Sequence, residues 1–255
     1  MMPFGTPSRW LGEWDETEAT RARHLRTVEP LEQAVIPDSA VTSGWEERFE
    51  AFLTKCYADD ASADSSHGVE HVRRVVRAAK QLAEIERARL DIVVPAAWLH
   101  DCVLVEKSSP DRPRASSLAA DRAGDFLIES GYPGSCIPGI HHAIRAHSFS
   151  AGIPPETKEA QVVQDADRLD ALGAIGLARC LMVGERMGRL LYDPDDPFCR
   201  DRTPDDSRSA IDHFYTKLLT LPGTMQTEAG RSEAERRAAF LESYLTQLKS
   251  ELGGL

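Results

Sequence analysis

The run Ile92–Leu99 is the longest apolar stretch in the chain, and it stops abruptly at His100-Asp101. Ile92, Val93, Val94, Ala96, Ala97, Trp98 and Leu99 leave a helix no polar side to turn toward water, so it has to lie at the centre of the fold. The run is too short to cross a bilayer, which takes about 20 residues. Asp91 reads as its cap, with Pro95 in the first turn, where a missing N–H is harmless.

The patterning around this segment is helical. Phe49, Phe52 and Leu53 share one helix face, and Val69, Val72, Val76, Ala79 and Leu82 form a second stripe behind a Ser65-Ser66 N-cap. Further helices are predicted near 115–130, 136–147, 155–166, 170–189, 205–220 and 230–251, with a basic loop at 104–114 and a long loop from Tyr192 to Pro204. Alternating strand patterns are nearly absent, so the expected class is all-α. Residues 1–43, with Pro3, Pro7, Pro30 and Pro37, read as a peripheral N-terminal extension that Trp10 and Trp14 could tack onto a main domain at 44–255.

Charge and cysteine usage narrow the partners. Thirty Lys and Arg against forty-one Asp and Glu leave a net charge of −11, which argues against a binder of nucleic-acid polymers. A small anionic substrate stays compatible with that balance, because one metal ion can dominate its local field. The five cysteines form no CxxC pair and read as reduced thiols without a catalytic base. With no secretory leader and no membrane span in the pattern, the expectation is a cytoplasmic protein. A homodimer is compatible with a helical fold of this size, but no heptad seam or long apolar stripe calls for one.

Three polar features interrupt the apolar pattern: Ser66-His67-Gly68-Val69-Glu70-His71, the His100-Asp101 pair, and Gln164-Asp165-Ala166-Asp167-Arg168-Leu169-Asp170. Imidazoles and carboxylates converging from several helices suit Mn²⁺, Mg²⁺, Fe²⁺, Co²⁺, Ni²⁺ or Zn²⁺, whereas a structural zinc site would use thiolates. Each piece alone has an ordinary explanation. An HD dipeptide occurs by chance, and Asp165, Asp167 and Asp170 could be helix-end carboxylates. The three in this order are harder to dismiss.

These stretches resemble the HD superfamily of metal-dependent phosphohydrolases, and most closely its bacterial YedJ-like branch. The resemblance runs from about residue 45 to about 250 and is carried by HGVEHVRRV (67–75), WLHDCVLVEKSSPDRPRASSLAA (98–120), AHSFSAGIPPETKEAQVVQDADRLDALGAIGLAR (146–179), DPFCRDRTPDD (196–206) and DHFYTKLLTLPGTMQT (212–227). It implies a helical bundle holding one divalent metal, Mn²⁺ or Mg²⁺ foremost, through His71, His100, Asp101 and Asp167. It also implies hydrolysis of phosphate esters or anhydrides, with pyrophosphate release from nucleoside triphosphates as the specific option. Gly68 stands where many relatives carry Asp, and the first acid after the HD pair is Glu106, so the general acid/base is unassigned.

The expected catalytic residues are Asp101, His67 and Lys107. His147, Arg112, Arg114 and Arg168 are candidates for the substrate phosphate, as is Asp170, which could alternatively orient a ligand histidine. His141 and His142 read as substrate contacts or as a wet helix end. Two other classes remain open: a two-iron HD-type oxygenase, needing extra ligands such as His67 with His142 or His147, and a non-catalytic nucleotide-binding helical module.

Overall fold

The computed structural model describes residues 43–58, 68–105, 112–148 and 151–253. The extension with Trp10 and Trp14, the Ser65-Ser66 cap, His67, Glu106 and Lys107 lie outside the described residues, as does the side chain of Arg112. Nine α-helices occur among the described residues: α1 (Ser43–Ala58), α2 (Val69–Glu86), α3 (Leu90–Leu99), α4 (Ala115–Glu129), α5 (Ile137–His147), α6 (Lys158–Leu169), α7 (Gly173–Arg186), α8 (Asp212–Thr216) and α9 (Glu228–Glu251). Two 3₁₀ segments, Arg112–Arg114 and Leu218–Thr224, accompany them. There is no strand among these residues, only an isolated bridge between Leu190 and Ser209, and the fold is all-α.

Helix α3 is the axis. Every residue from Ile92 to Leu99 is buried, and the helix packs against α1, α2, α4, α5 and α6. It starts two residues earlier than its pattern indicates, behind Arg89, so Asp91 lies inside the first turn and Pro95 falls in mid-helix. Pro95 has no N–H to give the carbonyl four residues back, which is that of Asp91. The Tyr132 hydroxyl donates to that carbonyl instead, at 2.7 Å. The Asp91 carboxylate meanwhile accepts from Arg89 at 2.8 Å and from the Cys136 thiol at 3.4 Å.

Helix α2 buries His71, Val72, Val75, Val76, Ala79, Leu82 and Ala83 on one face, and its N-cap is Gly68, in extended conformation. Helices α6 and α9 begin on threonines: Thr157 Oγ1 accepts from the Ala160 N–H at 3.2 Å and Thr227 Oγ1 from the Gly230 N–H at 2.9 Å.

The helix predicted over 205–220 does not form as one piece. Asp212 is fully buried and gathers the chain around its carboxylate, accepting from Arg202 Nη2 (2.8 Å), Ser209 Oγ (2.6 Å) and the Asp205 N–H (2.6 Å). Side-chain partners of this kind offer the backbone an alternative to helix, and only Asp212–Thr216 is α-helical. Ile175, Met182, Met187, Leu190 and Leu191 stand exposed along α7 and the segment after it, a concentration of apolar surface that their spacing in sequence does not announce. Among the described residues no helix is long and apolar enough to cross a membrane.

Candidate metal centre

Three helices end at one place. His100 is the C-cap of α3, His147 is the last residue of α5, and Asp167 lies in the last turn of α6; His71 joins them from the first turn of α2. A helix leaves its last four carbonyls unpaired, and both terminal histidines use one. His100 Nδ1–H donates to the Ala97 carbonyl at 2.8 Å and His147 Nδ1–H to the Ile144 carbonyl at 2.6 Å. Gln164 Nε2–H donates to the Ala146 carbonyl at 2.6 Å, tying α6 to α5 beside His147. Each imidazole is thereby fixed with Nε2 as the acceptor.

The Nε2 atoms and the carboxylates converge. His71 Nε2 lies 3.4 Å from Asp167 Oδ1 and 3.8 Å from Asp101 Oδ2. His100 Nε2 lies 3.6 Å from Asp101 Oδ2 and 3.7 Å from Asp167 Oδ1. His147 Nε2 is 3.7 Å from Asp101 Oδ1. These separations exceed a hydrogen bond, which ends near ~3.2 Å, but suit donors around one cation, since ligands at ~2.1 Å from an ion stand about 3–4 Å apart. His100 Nε2 supports that reading, being buried without a hydrogen-bond partner. The donor set, imidazole nitrogen and carboxylate oxygen, fits a divalent ion. The atoms fall into two overlapping groups, His71–His100–Asp167 and His100–Asp101–His147, each within 4.8 Å. The side chains of His71, His100 and His147 are 3%, 0% and 8% exposed while those of Asp101 and Asp167 are 23% and 27% exposed, so the cluster opens to solvent on its oxygen side.

Behind His71 stands Asp170, whose Oδ2 accepts from His71 Nδ1–H at 2.7 Å. Arg74 clasps the same carboxylate with Nε at 2.6 Å and Nη2 at 3.0 Å, and Arg179 adds a further bond. Burial alone would lower the pKa of His71, but the nearby carboxylates of Asp167 and Asp170 outweigh it and push it up to about 9. Burial lowers that of His100. Burial would raise the Asp167 and Asp170 carboxyls; the neighbouring imidazoles for Asp167, and His71 with Arg74 and Arg179 for Asp170, hold both well below the usual carboxylate range.

Several residues stand elsewhere than their spacing suggests. Asp170 is nearly buried and its oxygens are taken by His71, Arg74 and Arg179, so it sits behind a histidine rather than among substrate contacts. His147 stands inside the cluster, its ring centroid 4.9 Å from that of His100, rather than apart from it on a substrate face. Arg168 donates to the Thr224 carbonyl at 2.6 Å. Arg114 is exposed, and Arg112 opens the 3₁₀ turn before it. His141 pairs with Asp121 at 2.9 Å, and His142 Nε2 accepts from the Glu156 N–H at 3.0 Å, so both belong to the α5 flank. Asp165 is a structural carboxylate: fully buried, it accepts from the N–H groups of Gln226 (2.9 Å) and Thr227 (2.8 Å) and from the Thr227 hydroxyl (2.7 Å), docking the start of α9.

Arg74 and Arg179 carry no role in the motif reading, yet they hold Asp170. The signal for Arg74 is its place three residues after His71, on the same side of α2; Arg179 gives none. None of the five cysteines is in a disulfide, and burial raises the thiols of Cys102, Cys180 and Cys199 above their ordinary range, which disfavours a thiolate nucleophile.

Comparison with known proteins agrees with this geometry. Residues 68–172 match the model of the HD domain. The chain is 35% identical over 195 residues to the Bacillus subtilis protein YpgQ, covering 75% of this chain and 87% of YpgQ. Among solved structures it is similar to an HD-superfamily hydrolase from Bacillus thuringiensis, with 33% identity, 83% and 98% of the two chains covered and a TM-score of 0.65. It is likewise similar to B. subtilis YpgQ in complex with ADP, with 33% identity, 81% and 98% covered and a TM-score of 0.61. With the H…HD…D residues gathered at one point and relatives of this identity matched over nearly their whole length, the chain belongs to the HD-domain family.

Proposed function

We propose that the chain is a divalent-metal-dependent phosphohydrolase acting on a nucleotide or similar small phosphate, with pyrophosphate release from nucleoside triphosphates as the specific reaction. The observation that carries the reading is the spacing of His71 Nε2, His100 Nε2, Asp101 and Asp167 at 3.4–3.8 Å around a buried, unpartnered imidazole nitrogen. These four residues would hold the ion, His147 being within reach as a further donor. When bound, the ion would supply Lewis acidity toward a phosphoryl oxygen and lower the pKa of water. The chain itself orients His71 through Asp170 and opens the carboxylate side to substrate. The ADP complex of YpgQ supports a nucleotide as the ligand class, and the YedJ-like stretches support pyrophosphate release. His67 and Lys107 are proposed, with Asp101, as catalytic residues, and Arg112 and Arg114 as contacts of the substrate phosphate. The domain spans residues 44–255, with 1–43 as an extension, and cysteines without disulfides fit a cytoplasmic setting.

The test is release of phosphate and pyrophosphate from a nucleotide panel by full-length protein stripped of metal and reloaded with Mn²⁺ or Mg²⁺. Release that needs metal and is lost in Asp101→Ala establishes the hydrolase, and the product names the bond. Silence with every metal overturns it. Two irons per chain would then indicate an oxygenase, and nucleotide binding without turnover a binding module.

A further inference from the structure

Four arginines, Arg74, Arg77, Arg236 and Arg237, line a cavity of about 380 Å³ where α2, the start of α7 and α9 meet. None of the five donors of the metal centre lines it; Asp170 alone touches both places. The charge here runs against that of the chain, which is −11 in total. Arg236 and Arg237 share a single carboxylate, Glu233, at 2.7–2.8 Å, and Arg74 is held by Asp170. Arg77 is exposed and has no ion-pair partner among the described residues. Four guanidinium groups less two carboxylates leave a surplus of two positive charges facing one space.

The backbone adds to this. Gly173, Ala174 and Ile175 line the same cavity, and they are the first three residues of α7, whose N–H groups a helix leaves unpaired at its positive end. Gly173 adopts φ +68°, a left-handed conformation that suits glycine and starts the helix at this cavity. At the rim, Phe240 and Ile175 are exposed and offer flat apolar surface. Guanidinium forks and the first amides of a helix lining one cavity are complementary to phosphate oxygens.

We propose that this cavity is a second anion site, separate from the metal centre, which takes a small diphosphate group. The diphosphate could arrive as free pyrophosphate or as the end of a nucleotide whose base lies against Phe240, and the experiment separates the two. Full-length Asp101→Ala protein, disabled at the metal centre, is titrated calorimetrically with pyrophosphate and with ADP. The site predicts one binding event that survives Asp101→Ala, weakens as NaCl is raised, and weakens at least about tenfold when Arg77→Glu is added. Arg77 is exposed and Arg236 is half-exposed, so Arg77→Glu and Arg236→Gln leave the thermal melt in place while weakening binding. Tighter binding of ADP than of pyrophosphate identifies a nucleotide as the source; the reverse order identifies the free anion. Loss of all binding in Asp101→Ala, or an affinity untouched by both arginine substitutions, overturns the proposal. The readout is binding rather than turnover, so a silent hydrolase assay leaves it standing.

Discussion

Asp170 Oδ2 lies 2.7 Å from His71 Nδ1, although the two residues are 99 positions apart in the chain. A carboxylate on the far nitrogen of an imidazole fixes its tautomer, aims its Nε2 and strengthens it as a donor to metal. Arg74 and Arg179 keep that carboxylate in place from the other side. The geometry of the centre thus depends on a residue that need not touch the ion.

Asp170→Asn keeps the shape and removes the charge. Metal affinity is expected to fall about tenfold or more, read by competition titration of Mn²⁺ against a chelating dye. An unchanged affinity would remove Asp170 from this role.

Helix α3 gives a sharper stability test. Tyr132→Phe deprives the Asp91 carbonyl of its donor and should cost about 1–2 kcal/mol in urea unfolding. Pro95→Ala returns an N–H to the same carbonyl. In that background the cost of Tyr132→Phe should shrink, and a double-mutant cycle reads the coupling.

Local pattern carried much of this fold, and distant pairing much of the rest. The apolar run ending in His100-Asp101 announces the buried axis and its polar tip, and the stripe from Val72 to Leu82 announces α2, because both depend on neighbours within one helix. The segment around Asp212 misleads because its helical spacing competes with a buried carboxylate that recruits Arg202, Asp205 and Ser209. The position of His147 among the donors rests on where α5 ends relative to α3, which no spacing within either helix encodes. Asp165 and Asp170 look alike in sequence, yet one docks α9 and the other backs His71.

Glycine is usually the weaker choice in a helix. A β-carbon on Gly124 in α4 would come no closer than 4.0 Å to the His141 ring, so Gly124→Ala should stabilise by about 0.5–1 kcal/mol. Gly176→Ala should do the opposite. Its Cβ would overlap the Ala171 carbonyl, and the cost is expected to be about 1–3 kcal/mol. Thermal melts of the two variants should shift in opposite directions.

Asp212 governs an acid response. Burial would raise its pKa, but Arg202, Ser209 and the Asp205 N–H hold it well below the usual range. A folded pKa below the unfolded one, near ~3.9, means the stabilisation is complete above that pH and is lost as the pH falls through the folded value. Asp212→Asn should therefore be less stable at neutral pH by about 3 kcal/mol, and the gap to the unsubstituted chain should narrow below about pH 4. Urea unfolding at pH 7 and pH 3.5 checks both the size and the direction.

The convergence of the carboxyl ends of α3, α5 and α6 on one point has a consequence for timing. Each end carries a partial negative charge of its own, roughly half an elementary charge, added to those of Asp101 and Asp167. An empty cage of this kind repels a phosphate and attracts a cation before any substrate arrives. On the proposed reading, the direction in which the three helices run sets the order of assembly: a cation would enter first and reverse the sign of the pocket, and an anionic substrate would dwell there only afterwards.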